Sequence, residues 1–83
     1  MKTEKYYEVA LMKLVPNSSD DDFESYDFQQ ALSYKDAVKK ARQLSMKCDA
    51  CDVICYCREM SDYDQIFRET YIKGKLYGRL YFN

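Results

Sequence analysis

The chain predicts an α+β fold, an antiparallel β-sheet with one helix packed on it, and three observations lead there. Only one stretch, opening at Ser33, carries a sustained 3.6-residue apolar period. Runs rich in valine, isoleucine, tyrosine and phenylalanine lie on both sides of it. Polar breaks at Asn17–Asp22 and Ser61–Asp64, and a tight reversal at Lys73-Gly74, cut those runs into strand-length pieces. The resulting order is ββαβββ, one domain over residues 1–83 with no internal repeat and no linker.

Tyr6 to Val15, YYEVALMKLV, is apolar on both parities. That predicts a central strand, or one edge of a sheet covered on both sides, with Tyr7, Val9, Leu11 and Val15 as the stronger set. Pro16 ends it, because proline has no donor for the ladder. After the acidic turn, Phe23 to Leu32 reads as a half-buried second strand, paired with the first as a hairpin.

Ser33 is placed to cap the helix, with Asp36 in the capping-box position and Leu32 and Ala37 as the hydrophobic staple. Tyr34, Ala37, Val38, Ala41, Leu44, Ser45 and Cys48 form one buried stripe. Lys35, Lys39, Lys40, Arg42, Gln43 and Lys47 fall on the outer side. Periodicity carries the helix to Cys48, and no glycine marks its end, which leaves Cys51 in an irregular connection. Val53 to Met60 reads as a third strand with Val53, Cys55 and Cys57 on one face. Gln65 to Ile72 is the fourth. Gly74 supplies a positive φ for the turn into Lys75 to Phe82, with Leu76, Leu80 and Phe82 on one parity.

At 83 residues, a single core leaves little stability to spare. The balance of 47% apolar and 33% charged residues still argues for an ordered globule. A net charge of −1 gives no overall basic field, which argues against direct nucleic-acid binding. Charge is nevertheless segregated: Asp20, Asp21, Asp22, Glu24 and Asp27 precede the helix, and Lys35, Lys39, Lys40, Arg42 and Lys47 dominate it. Met1 to Pro16 lacks the apolar core of a secretory signal, so a cytoplasmic location with reduced thiols is expected. No apolar run is long enough for a membrane span.

All four cysteines lie in Lys47–Cys57, KCDACDVICYC, with spacing C-x2-C-x3-C-x-C, in a chain without histidine. Four thiolates are then the natural donor set for a zinc ion, so Cys48, Cys51, Cys55 and Cys57 are the candidate metal ligands. Cys55 and Cys57 strain this reading, because strand residues two apart separate their side chains by roughly 7 Å; Asp49 or Asp52 would then replace a thiolate. The competing reading is ordinary buried thiols. Redox catalysis is a third, opposed by the position of Cys48-x-x-Cys51 after the helix, at the wrong end of its dipole.

Catalytic machinery is missing from the sequence: no histidine for general-base work, no nucleophile motif, and only two glycines where a phosphate loop needs a cluster. A non-catalytic protein is expected. Nine tyrosines exceed what a small core can hide, and several among Tyr56, Tyr63, Tyr71, Tyr77 and Tyr81 are expected to be at least partly exposed. Exposed tyrosines beside acidic patches compose a protein-binding surface. Its candidate residues are Asp20, Asp21, Asp22, Glu24, Tyr56, Tyr77 and Tyr81.

The ββαβββ layout, the acidic segments at Asp20–Glu24 and Asp62–Asp64, the tyrosine content and the lack of a catalytic signature together resemble small phage-encoded anti-CRISPR proteins. The resemblance implies a stoichiometric inhibitor of a type II RNA-guided nuclease, acting in the host cytosol, its acidic segments docked on the nuclease's basic channels. It would be a monomer, or a weak dimer through a free sheet edge, with KCDACDVICYC as a metal staple. The alternative is a small zinc-binding regulatory module that contacts nucleic acid through Lys35, Lys39, Lys40 and Arg42.

Overall fold

The computed structural model describes the backbone of residues 4–16, 21–59 and 62–82, and the side chains of residues 5–16, 23–57 and 65–82. The elements are β1 (Glu4–Pro16), β2 (Asp21–Ala31), α1 (Tyr34–Leu44), β3 (Ala50–Glu59), β4 (Asp62–Ile72) and β5 (Lys75–Tyr81). They form a five-stranded sheet of order β2-β1-β3-β4-β5, with every neighbouring pair antiparallel. The α+β architecture and the element order are those read from the sequence.

The topology explains the single helix. Both β2 and β3 run antiparallel to β1, so they are parallel to each other with β1 between them. A parallel relation needs a long crossover, and α1 supplies it. β1 is thereby central, as its two-sided apolar run requires.

Ser33 caps α1: its Oγ accepts from the Asp36 N–H at 3.1 Å, and the Asp36 carboxylate accepts from the Leu32 N–H at 3.0 Å. The expected staple is not made, since Leu32 is 97% exposed. The helix stops at Leu44, four residues before Cys48. Ser45 is the C-cap, its N–H bonded to the Ala41 carbonyl at 2.9 Å. The Ser45 hydroxyl in turn accepts from the Gly74 N–H at 2.9 Å, and Arg42 Nη1 donates to the Gly74 carbonyl at 3.1 Å. Tying both to the β4–β5 turn ends the helix where periodicity alone would have continued it. Lys73 and Gly74 take φ of 51° and 80°, the double left-handed step of a tight hairpin.

β3 begins at Ala50, three residues before Val53, and Cys51 belongs to the strand, not to an irregular connection. The reason is the length of β1: its Ala10, Leu11 and Met12 pair with Asp52, Cys51 and Ala50.

On the helix side, Ala37 and Ala41 press onto Val9, Cys51, Val53 and Tyr71. Two alanines at the contact let the helix axis come close to the sheet. Tyr71 is 2% exposed, unlike Tyr56, Tyr77 and Tyr81; the Arg42 guanidinium lies over the Tyr71 ring at 5.5 Å from the centroid. Glu69 is buried beside it; the Arg79 guanidinium balances its charge, with Nε–H donating at 2.6 Å, and its other oxygen accepts from the Tyr34 hydroxyl at 2.7 Å. These two bonds tie the helix start and β5 to the same carboxylate.

The other face of the sheet carries no helix, yet Ala10, Met12, Ala50, Asp52 and Ile54 are buried on it. Coiling accounts for this. Three of the four strand pairs carry a register shift: at Leu11/Met12 in β1–β2, Cys55/Tyr56 in β3–β4 and Thr70/Tyr71 in β4–β5. Each such bulge bends its strand and increases the twist. The sheet curls until residues of both edge strands line one cavity.

Candidate functional site

Cys48 and Cys51 come together. Cys48 lies in the turn after α1, half-buried, with its Sγ 3.3 Å from the fully buried Cys51 Sγ at the start of β3. The Cys48 thiol also stands 3.2 Å from the Leu44 carbonyl and 3.1 Å from the Ala50 carbonyl. Asp49 holds this turn against β1 by accepting from the Leu14 N–H at 2.6 Å. Burial pushes the Cys51 thiol up to about 12, with the neighbouring Cys48 sulfur adding to the effect.

Cys55 and Cys57 stay further along β3, opposite Tyr7 and Lys5 of β1. Cys55 is fully buried, and burial raises its pKa while the Tyr7 hydroxyl beside it acts in the opposite direction. Cys51 and Cys55 are four residues apart on one continuous strand, roughly 13 Å. Sulfurs sharing a tetrahedral zinc at 2.3 Å each lie about 3.8 Å apart. The Cys48–Cys51 separation is close to that bite; Cys55 and Cys57 cannot join it while β3 stays extended. Among the described residues no group of three or more metal-binding side chains is gathered. The four-sulfur set expected from spacing is thus two adjacent thiols plus two strand cysteines.

The expected protein-binding residues divide between the two faces. Asp20 lies outside the described residues, as do the side chains of Asp21, Asp22 and Tyr63. Glu24 is exposed on β2 opposite Lys13. Tyr56 is half-buried on the helix-free face, its hydroxyl donating to Glu8 at 3.3 Å. Tyr77 is 75% exposed and lines the cavity of the helix-free face. Tyr81 is 62% exposed but sits on the helix side, where Tyr7, Tyr34, Phe67 and Tyr81 follow one another at ring-centroid distances of 6.0, 6.0 and 5.9 Å.

The cavity between the edge strands holds about 440 Å³. Its floor is an internal ion pair: Asp52 meets Arg68 Nη2 at 2.9 Å and accepts from the Thr70 hydroxyl at 2.6 Å. Arg68 Nε is buried with no hydrogen-bond partner. The rim carries apolar Phe23 on one edge strand and Tyr77 and Leu80 on the other, with Ser25 and Arg79 among them. Leu14 and Phe28 extend the same face, 42% and 52% exposed.

Residue parity hides this rim. Phe23 and Phe28 have opposite parity, yet both lie on the helix-free face, opposite Leu14 and Ala10, because the bulge between them adds one residue to β2. Leu76 and Leu80 share a parity, yet the bulge in β5 places Leu76 opposite Tyr71 on the helix side and Leu80 opposite Arg68 on the other. Their expected common face does not exist.

Of the basic helix residues, two are committed to the fold. Lys40 Nζ donates to the Gln30 carbonyl at 3.0 Å, and Arg42 holds Gly74 and Tyr71. No helix among the described residues is long and apolar enough to cross a membrane. No family model, curated protein or solved structure matches the chain. The fold and site define a small α+β domain with an open sheet face, partly apolar at its rim and internally neutralised at its floor.

Proposed function

We propose that the chain is a non-catalytic protein-binding inhibitor that docks through the helix-free face of its sheet, with a type II RNA-guided nuclease as the partner. One observation carries the docking reading: exposed Phe23, Tyr77 and Leu80 line a concavity with room for an anchor side chain, and exposed Leu14 and Phe28 lie on the same face. Aromatic residues around a desolvated pocket are the usual hot-spot material of protein interfaces. The Asp52–Arg68 pair cancels charge on the floor, so an apolar protein side chain suits the cavity better than a phosphate does. The nuclease as partner rests on the resemblance of layout alone.

The test is DNA cleavage by several type II effectors with the purified chain in excess. Inhibition is expected, with loss of about tenfold or more in potency for Phe28→Asp and Tyr77→Asp, whose exposed positions leave the fold intact. Uninhibited cleavage by every effector rejects the partner. Inhibition that both variants retain rejects the face. The nucleic-acid reading is less supported, because Lys40 and Arg42 already serve the helix–sheet contact. Any zinc is proposed for the Cys48–Cys51 pair, completed by donors outside it, and metal content per chain after purification without a polyhistidine tag tests that assignment.

A further inference from the structure

The four thiols are not equivalent. Cys55 and Cys57 stand two apart on one strand, so their side chains are roughly 7 Å apart, while a disulfide needs Cβ atoms about 4 Å apart. Cys55 is also fully buried. Cys48 and Cys51 already have their sulfurs in contact at 3.3 Å, and closing to a bond requires them to move together by little more than 1 Å. Cys48 lies in a turn, where the backbone can absorb that movement. Accessibility is graded within the pair. Cys48 opens onto a shallow cavity of about 400 Å³ beside Tyr26 and Lys47, while Cys51 is shielded beneath it.

We propose that Cys48 and Cys51 form a reversible intramolecular disulfide by exchange with a small-molecule disulfide of the glutathione class, Cys48 reacting first. The Cys48 thiolate attacks one sulfur of glutathione disulfide. That S–S bond breaks, and one glutathione leaves as a thiol, taking up the proton Cys48 has lost. Cys51 Sγ then attacks Cys48 Sγ in the mixed disulfide. The second glutathione departs with the Cys51 proton. Overall, the two protein thiols lose two electrons and two protons, and one glutathione disulfide becomes two glutathiones. Shielding suits Cys51 to the second step, which needs no access from solvent. The reaction is independent of the docking face and survives if that reading fails.

The experiment incubates the folded chain with excess glutathione disulfide and EDTA, alkylates the remaining thiols and maps the peptides by mass spectrometry. The wild-type chain is expected to become two hydrogens lighter, linked Cys48 to Cys51, with Cys55 alkylated only after unfolding and Cys57 left outside the linkage. Linked product should exceed glutathione adduct about tenfold, because the second thiol is held in contact. Cys51→Ser should accumulate one glutathione at Cys48, and Cys51→Ala should do the same if the serine variant fails to fold. Cys48→Ser should carry no glutathione at Cys51. A wild-type chain that keeps all four thiols, or stops at the adduct, overturns the proposal, as does a linkage through Cys55 or Cys57.

Discussion

Replacing Ile54 by alanine probes whether the helix-free face is a second core or a wet sheet surface. Ile54 is 1% exposed and lies on central β3 between Glu8 of β1 and Arg68 of β4. The substitution removes three carbons, worth about 2.4 kcal/mol at ~0.8 kcal/mol each. The cavity left behind brings the expected loss to about 3–4 kcal/mol, since the curled sheet cannot collapse onto it fully. A domain of this length has roughly 4–12 kcal/mol in total. Urea unfolding followed by circular dichroism should show the midpoint falling by about 2–3 M. Phe28→Ala, on the same face but half-exposed, should cost under about 1 kcal/mol. A loss below about 1 kcal/mol for Ile54→Ala would show that water reaches this face and that the sheet does not coil as described.

Asp52→Ala should cost about 2–3 kcal/mol, because it strands the Arg68 guanidinium and the Thr70 hydroxyl; the figure sits below the fully buried range since Arg68 is 28% exposed. Combining Asp52→Leu with Arg68→Met should recover most of that loss in the same urea assay. Gly74→Ala should cost about 1–2 kcal/mol, since φ is +80° and the new Cβ would meet Met46 Sδ at 3.3 Å, whereas Lys73→Asn should stabilise by several tenths of a kcal/mol. The melting temperature should fall as pH rises from about 9 towards 12. Cys51 and Tyr34 are both pushed up to about 12, Cys51 chiefly by burial and Tyr34 chiefly by its hydrogen bond to Glu69. Their unfolded values are near 8.5 and 10, so their contribution is complete below those values and disappears as pH approaches the folded ones. Cys51→Ser should flatten the lower part of that decline, and melts at stepped pH will show whether it does.

Much of the candidate site lay beyond what spacing can express. C-x2-C after a helix predicted two neighbouring sulfurs, and Cys48 and Cys51 are neighbours. Sequence proximity groups Cys55 and Cys57 with them; the strain expected between those two becomes full separation from the first pair because β3 is extended from Ala50 onward. The tyrosine count predicts that several rings are exposed, but not which one is buried against Arg42. The acidic residues of the first loop lie mostly outside the described side chains.

What the sequence by itself determined was the type and order of elements, the Ser33 cap, the helix stripe through Ala37 and Ala41, and the Lys73-Gly74 turn. All of these depend on contacts between residues close in the chain, where period and turn chemistry act directly. Tertiary structure alone decided that β1 sits beside β3, that α1 ends at Leu44 against the β4–β5 turn, and that Phe23 and Phe28 share a face. Those outcomes depend on pairing between distant strands, and a single bulged residue reverses every facing beyond it while leaving the local pattern of the sequence unchanged.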